Sequence, residues 1–210
     1  MVRRIFVEKK PGLRHEAAGL LNELRTLLGI TALTDLRLVN RYDVEGLKKD
    51  VFERAVQTVF SEPQVDFATE ALPEGDFTVF AVEALPGQFD QRADSASQCI
   101  QLMTQGDRPT VRAAKVYLLS GELSKADLKK IKEYVINPVE SREARLGKPK
   151  TLQVESTIPT SVETVEGFIA MDEAALTALL DKLGLAMDLD DLKFLQAYFR
   201  ADEKRVPTIT

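Results

Sequence analysis

Four places in the sequence hold residue types that could do chemistry. His15 is the only histidine, so neither a nucleophile–histidine–acid triad nor a histidine cluster for zinc can be assembled. At the start of a helical pattern it reads as a partly exposed residue. Cys99 is the only cysteine; it stands at the border of an apolar helix face with no base beside it, and is expected to be a small core residue rather than a nucleophile. Asp188, Asp190 and Asp191 are close enough to suggest a cation, but at a helix start they have a capping and dipole role. Leu118-Leu119-Ser120-Gly121-Glu122 has a glycine but no phosphate-cradling pattern, and no glycine-rich loop with Lys and Ser or Thr occurs. No catalytic, cofactor-binding or metal-binding residue is therefore assigned.

The stretch that stands out is Pro86 to Gln101. It follows an apolar strand, Phe77 to Ala84, and opens a helix whose first turn Asp90 is placed to cap. Ala93, Ala96, Ile100 and Met103 recur at spacings of three and four and form one apolar face. The opposite stripe is Gln91, Asp94, Gln98, Gln101 and Gln105. Its charges, with Asp90 and Arg92, are confined to the first turn, and amides follow. A solvated face is normally rich in Lys and Glu. Amides suit a face that meets another protein surface, because they pair in either sense and lose less hydration than a full charge. Gln88, Phe89, Asp90, Gln91, Arg92, Asp94, Ser95, Gln98 and Gln101 are the candidate interdomain interface.

The composition bounds the partners. The chain has 210 residues, 44% apolar and 29% charged, with net charge −5, the balance of a soluble globular protein large enough for one or two domains. That charge, with no basic stripe, argues against a general nucleic-acid binder. No stretch approaches the roughly 20 apolar residues of a membrane span, and the start, Met1 to Glu8, reads as a strand rather than a signal peptide. A single cysteine fits a reducing compartment. The expected location is cytoplasmic.

The elements that must position these residues follow in order. Residues 3–9 read as a strand and Pro11-Gly12 as a turn. Ala17, Leu20, Leu21, Leu24, Leu27 and Leu28 make 14–28 an amphipathic helix ended by Gly29. Residues 35–43 form a strand, 50–60 a helix, and Val65 and Phe67 a short strand. Residues 124–136 form a helix with a solvated, lysine-rich face over Leu128, Ile131 and Val135. Residues 146–170 are broken by Pro149, Pro159 and Gly167 and read as a tether in which Leu152 and Val154 could form an isolated strand. Asp172 caps one further helix, with Leu176, Leu179, Leu180 and Leu183 inward. Asp188 caps another, with Leu192, Leu195 and Phe199 inward.

The pattern repeats. Val7 matches Val82, Pro11-Gly12 matches Pro86-Gly87, Pro63 matches Pro138, and Val56 matches Ile131; only the middle strand is expected to slip, with Leu38 equivalent to Val116. This is an internal duplication of a strand–helix–strand–helix–strand unit. Such a pair behaves as a dimer fused into one chain, each half covering the open edge of the other. The fold class is therefore α+β: tandem duplicated units forming a pseudo-dimeric, largely antiparallel sheet covered by helices, then a short helical linker region. The expected boundaries are 1–145 for the duplicated domain, with halves 1–72 and 76–145, then 146–170 for the tether and 171–210 for the helices.

Arg3 to Lys10, Asn40 to Gly46, Thr58 to Pro63 and above all Pro86 to Ala96 resemble the N-terminal part of long-chain phosphoribosylformylglycinamidine synthases. Ile136 to Glu143, Gly184 to Phe194, Gln196 to Arg200 and Pro207 to Thr210 extend the likeness along essentially the whole chain. The family enzyme uses ATP and magnesium to activate the amide oxygen of formylglycinamide ribonucleotide in de novo purine synthesis, and adds ammonia drawn from glutamine. The resemblance implies that residues 1 to about 145 look like two fused copies of a small accessory subunit, and that residues from about 170 look like the start of a linker domain. The family's synthase core, with its nucleotide and metal sites, and its glutaminase domain come later and have no counterpart here. Cys99 does not match the glutaminase motif. The expectation is a fragment that is inactive alone, without cofactor or metal of its own. It would hold the synthase and glutaminase domains of the same polypeptide in register for ammonia transfer. The alternative is a stand-alone duplicated ferredoxin-like module that binds a small ligand.

Overall fold

Buried apolar residues on both faces build the sheet: Ile5, Val7, Tyr42 and Val44 on one and Phe6, Val39, Val116 and Leu118 on the other. The computed structural model describes residues 1–153 and 160–209 and divides the chain into two units, Met1–Val154 and Glu155–Thr210. The first unit runs β1 (Val2–Lys9), α1 (His15–Thr26), β2 (Asp35–Glu45), α2 (Lys49–Ala55, prolonged by a π-helical turn Val56–Phe60), β3 (Asp66–Thr69), β4 (Thr78–Ala84), α3 (Gln91–Thr104), β5 (Thr110–Ser120), α4 (Lys125–Val135) and β6 (Ser141–Ala144). The strands form one open antiparallel sheet in the order β3-β1-β2-β5-β4-β6.

That order reads the same from either edge, and the register shows why. Ile5 pairs with Tyr42 in the first half, and Phe80 pairs with Tyr117 in the second. Phe6 pairs with Thr69, and Ala81 with Ala144. In every case both partners have moved 75 positions along the chain. The middle strand does not slip, contrary to expectation: Tyr42 and Tyr117 are equivalent, so the counterpart of Leu38 is Ala113, not Val116. Sequence similarity misaligned this strand because its equivalent positions differ in type: Leu38 falls on Ala113, Asn40 on Lys115 and Arg41 on Val116. The halves join through β2 and β5, and Asn40 pairs with Lys115, its own counterpart. The twofold axis of the duplication passes through that pair. Gly12 and Gly87 both take left-handed φ, 85° and 89°, so the two equivalent turns share a backbone that favours glycine.

The first helix of each half lies on a strand of its own half and also reaches the core of the other. α3 packs with α2 over β1 and β2, where Ala93, Ala96 and Ile100 meet Tyr42, Val44, Phe52 and Phe60. α1 packs with α4 over β4 and β5, where Ala17 and Leu24 meet Phe80, Tyr117, Leu119 and Ile131. Each half thus completes its core with the first helix of the other.

The opposite sheet face carries a second apolar cluster, Phe6, Val39, Ala81, Ala114, Val116 and Leu118, with Leu72 and Phe77 of the inter-half connector packed on it. Beside it lies a buried ionic group. Arg4 forks onto Asp43 at 2.6 and 2.8 Å, and Arg41 lies 3.3 Å from Asp43 and 3.7 Å from Glu83. Residues 145–152 run along this face as a strap. Arg4 donates to Leu146 O and Gly147 O, Arg41 to Arg145 O and Arg112 to Leu152 O. Glu45 accepts from Leu152 N at 2.8 Å and Thr151 Oγ1 at 3.0 Å. The stretch expected to be a tether is therefore divided: its first part belongs to the first unit and its last part to the second. Leu152 is buried but not in a strand, and Val154 lies outside the described residues.

In the second unit, a 3-10 turn (Phe168–Ala170) precedes α5 (Glu173–Leu183) and α6 (Leu189–Tyr198). Phe168, Leu176 and Leu192 form its core. Asp172 caps α5. Asp188 and Asp191 form a reciprocal capping box on α6, so these two acids are engaged with backbone amides. Ile209 N donates to Glu163 O, and Val165 N to Pro207 O, both at 2.9 Å.

Candidate functional site

The turn at Pro86-Gly87 leads from β4 into α3, and Asp90 fixes that entry. Its carboxylate accepts from Ala93 N at 3.0 Å, the expected cap, and from Ala113 N of β5 at 3.3 Å. One side chain thus sets the helix start and ties it to the sheet. Arg92, one position past the first helical residue, donates from Nη1 to Tyr42 Oη of the other half at 3.2 Å. Burial alone would lower its pKa, but the Tyr42 contact and the field of Glu16 and Asp90 outweigh that and raise it.

These residues border an open groove of about 770 Å³ on the helical face of the sheet. Gln88, Phe89, Asp90, Gln91, Arg92 and Ser95 line it, with Asn40 and Lys115 of the axis pair on its floor. Asp94, Gln98 and Gln101 are not part of the groove. Asp94 turns away to an ion pair with Arg108, whose Nε also donates to Ser97 Oγ at 3.0 Å. Gln98 donates to Asp94 at 2.7 Å and, with Gln101, lies on the outward ridge of α3. The candidate residues therefore separate into a groove set and a ridge set. Among the described residues, the side chains of Phe89, Gln91, Ser95 and Gln101 make no hydrogen bond, ion pair or ring contact. Phe89 is 74% exposed and Leu102 78%. Cys99 is exposed on the same ridge rather than in the core, because the apolar stripe is narrow and Ala96 and Ile100 fill it.

The duplication supplies an internal comparison. Glu16 and Glu23 of α1 become Gln91 and Gln98 in α3. Both carboxylates on one helix are replaced by amides at the equivalent positions of its copy, with the helix face unchanged. The exposed positions of α3 after Arg92 are Ser95, Gln98, Cys99, Gln101 and Leu102, none charged, whereas α4 exposes Lys125, Lys129, Lys130 and Glu133. His15 is exposed at the start of α1.

Sequence reasoning missed Asn40, Tyr42, Lys115 and Glu16 as parts of the site. They come from the other half or the axis, and only the β2·β5 register, which brings position 40 onto 115, could have found them. Among the described residues no three acidic, histidine or cysteine side chains are grouped as a metal site, and no helix is long and apolar enough to cross a membrane. No protein-family model matches the chain, and no curated protein matches it.

Proposed function

We propose that this chain is the non-catalytic scaffold segment of a phosphoribosylformylglycinamidine synthase. Its role is to organise the synthase and glutaminase domains of the same polypeptide so that ammonia released from glutamine reaches the activated amide. The parent reaction consumes ATP with magnesium; this segment supplies neither a nucleophile nor a metal ligand to it. The observation that carries the reading is that the exposed positions of α3 after Arg92 are uncharged, whereas its copy α1 exposes Glu16, Glu23 and Arg25. A surface that replaces two exposed carboxylates by amides while its fold is kept suits contact with another protein surface better than contact with water. The motif that most resembles the family, Pro86 to Ala96, builds the turn and first helical residues from which this ridge springs. The shared register of the two halves is what two fused accessory subunits require.

The test is made in the full enzyme. Arg92→Ala and Gln98→Glu are expected to lower glutamine-dependent turnover while ammonia-dependent turnover is retained, and to uncouple glutamine hydrolysis from ATP use. Unchanged coupling in both variants would falsify the interface. The groove of about 770 Å³ favours the second reading, a stand-alone small-ligand module. For that reading, calorimetry of the chain with nucleotides and amino acids should show saturable binding.

A further inference from the structure

The groove beside α3 has a twin. A second groove of about 490 Å³ lies at the start of α1, and its lining maps onto the first by the repeat: Val7 on Val82, Leu13 on Gln88, Glu16 on Gln91 and Ala17 on Arg92. The two have diverged in charge. Arg92 also lines this second groove, as does Glu62, but most of the α1 groove's own charges satisfy one another. Lys9 lies 2.9 Å from Asp66, Arg14 lies 3.1 Å from Glu8, and Glu16 pairs with Lys115.

The α3 groove is not balanced in this way. Lys115 is taken by Glu16, Glu83 by Arg142 at 2.9 Å, and Asp90 by two backbone amides. Arg92 stands where the twin has alanine. Among the described residues its only hydrogen bond is to the Tyr42 hydroxyl, and Glu16 and Asp90 act on it only through space. The nearest equivalent of a partner, Glu16 in the twin, has become Gln91. Most of the guanidinium fork is thus unused at the edge of an open groove walled by the aromatic ring of Phe89 and the amides of Gln88 and Gln91.

We propose that the α3 groove holds a carboxylate, received by the guanidinium of Arg92. A planar two-oxygen acceptor matches the planar donor fork. A singly charged group also suits the surroundings better than a phosphate, because Asp90 and Glu140 line the same groove and would repel a second negative charge. The site rests on the groove's geometry rather than on the scaffold reading, although Arg92 enters the test of both. The carboxylate can belong to an acidic side chain of a docked protein or to a free organic acid.

The test uses the whole chain, labelled with nitrogen-15, and nuclear magnetic resonance. Glutarate, inorganic phosphate, the capped peptide acetyl-Ser-Glu-Ser-amide and its Gln counterpart are titrated at ionic strength matched with chloride. Glutarate and the Glu peptide are expected to shift Arg92 Nε–H and the backbone amides of Gln91 to Ala93, saturably below about 50 mM. The Gln peptide should not. Arg92→Gln should weaken binding at least about tenfold and Arg92→Lys severalfold, since the lysine keeps the charge but not the fork. Lys129→Gln, outside the groove, should leave it unchanged, and unshifted α4 amides report that each variant is folded. A Glu peptide tighter than glutarate assigns the carboxylate to a protein; the reverse assigns it to a free acid. The proposal falls if chloride or the Gln peptide reproduces the shifts, if Arg92→Gln leaves them intact, or if phosphate binds tighter than glutarate. Loss of this binding with intact ammonia coupling would overturn only the scaffold's use of the ridge, and the reverse only the carboxylate site.

Discussion

Tyr117 stacks on Phe80, with ring centroids 4.7 Å apart and planes 3° from parallel, and is 6% exposed. Burial, and then the field of Glu16, push its hydroxyl up to about 12. An acid whose pKa is raised on folding is bound to its proton more tightly in the native state. Its contribution is therefore complete below the unfolded value near 10 and is lost as pH rises from there through 12. The shift corresponds to a stability loss on the order of 2 kcal/mol. Urea unfolding at pH 8 and pH 12 should show this difference between wild type and Tyr117→Phe, which has no proton to lose; parallel losses in the two proteins would refute it. Side chains of this kind were only partly legible in the sequence. The Asp90 cap could be read from a polar residue before an apolar stripe. Its second bond, to Ala113 N, could not, because nothing local links positions 23 apart. Asp94 read as part of an outward stripe, yet Arg108, beyond the helix end, draws it aside.

Elements were more legible than their pairing. Helical and strand periods identified the first seven elements and the last helix of the first unit to within a few residues, because the apolar spacing records the buried face, while β6, with one apolar residue in four, went unread. The register of β2 was misplaced because it and its copy β5 differ at equivalent positions, Leu38 against Ala113 and Arg41 against Val116. The strap was missed because backbone carbonyls, which carry no residue identity, hold it: Arg4, Arg41 and Arg112 each donate to one or more of them. Glu45 closes it. The Leu152 amide, and also Thr151, hold the Glu45 carboxyl below the usual carboxylate range, so this anchor is present above that range and weakens as pH falls through the lowered value. Glu45→Ala is expected to speed hydrogen exchange at the Leu152 amide about tenfold or more, leaving the central amides of β2 and β5 unaffected. Equal protection in wild type and variant would show that the arginines suffice.

At the scale of the first unit, α1 and α3 each bridge the two halves and so make them one cooperative body. Leu24 is fully buried on α1, yet its cluster includes Phe80, Tyr117, Leu119 and Ile131 of the other half. Leu24→Ala should cost about 3 kcal/mol and raise hydrogen exchange in β4 and β5 as much as in β1 and β2. Exchange confined to α1 would mean that the halves open separately. The eleven residue pairs joining β2 to β5 leave no seam along which they could part. Covalent fusion also frees the two copies from identity. Two identical subunits around this axis would each display the amide-bearing helix and so offer two berths to whatever it meets. A chain in which α3 alone carries Gln91 and Gln98 where its copy has Glu16 and Glu23 offers one such surface, so the proposed scaffold would meet its partner one to one.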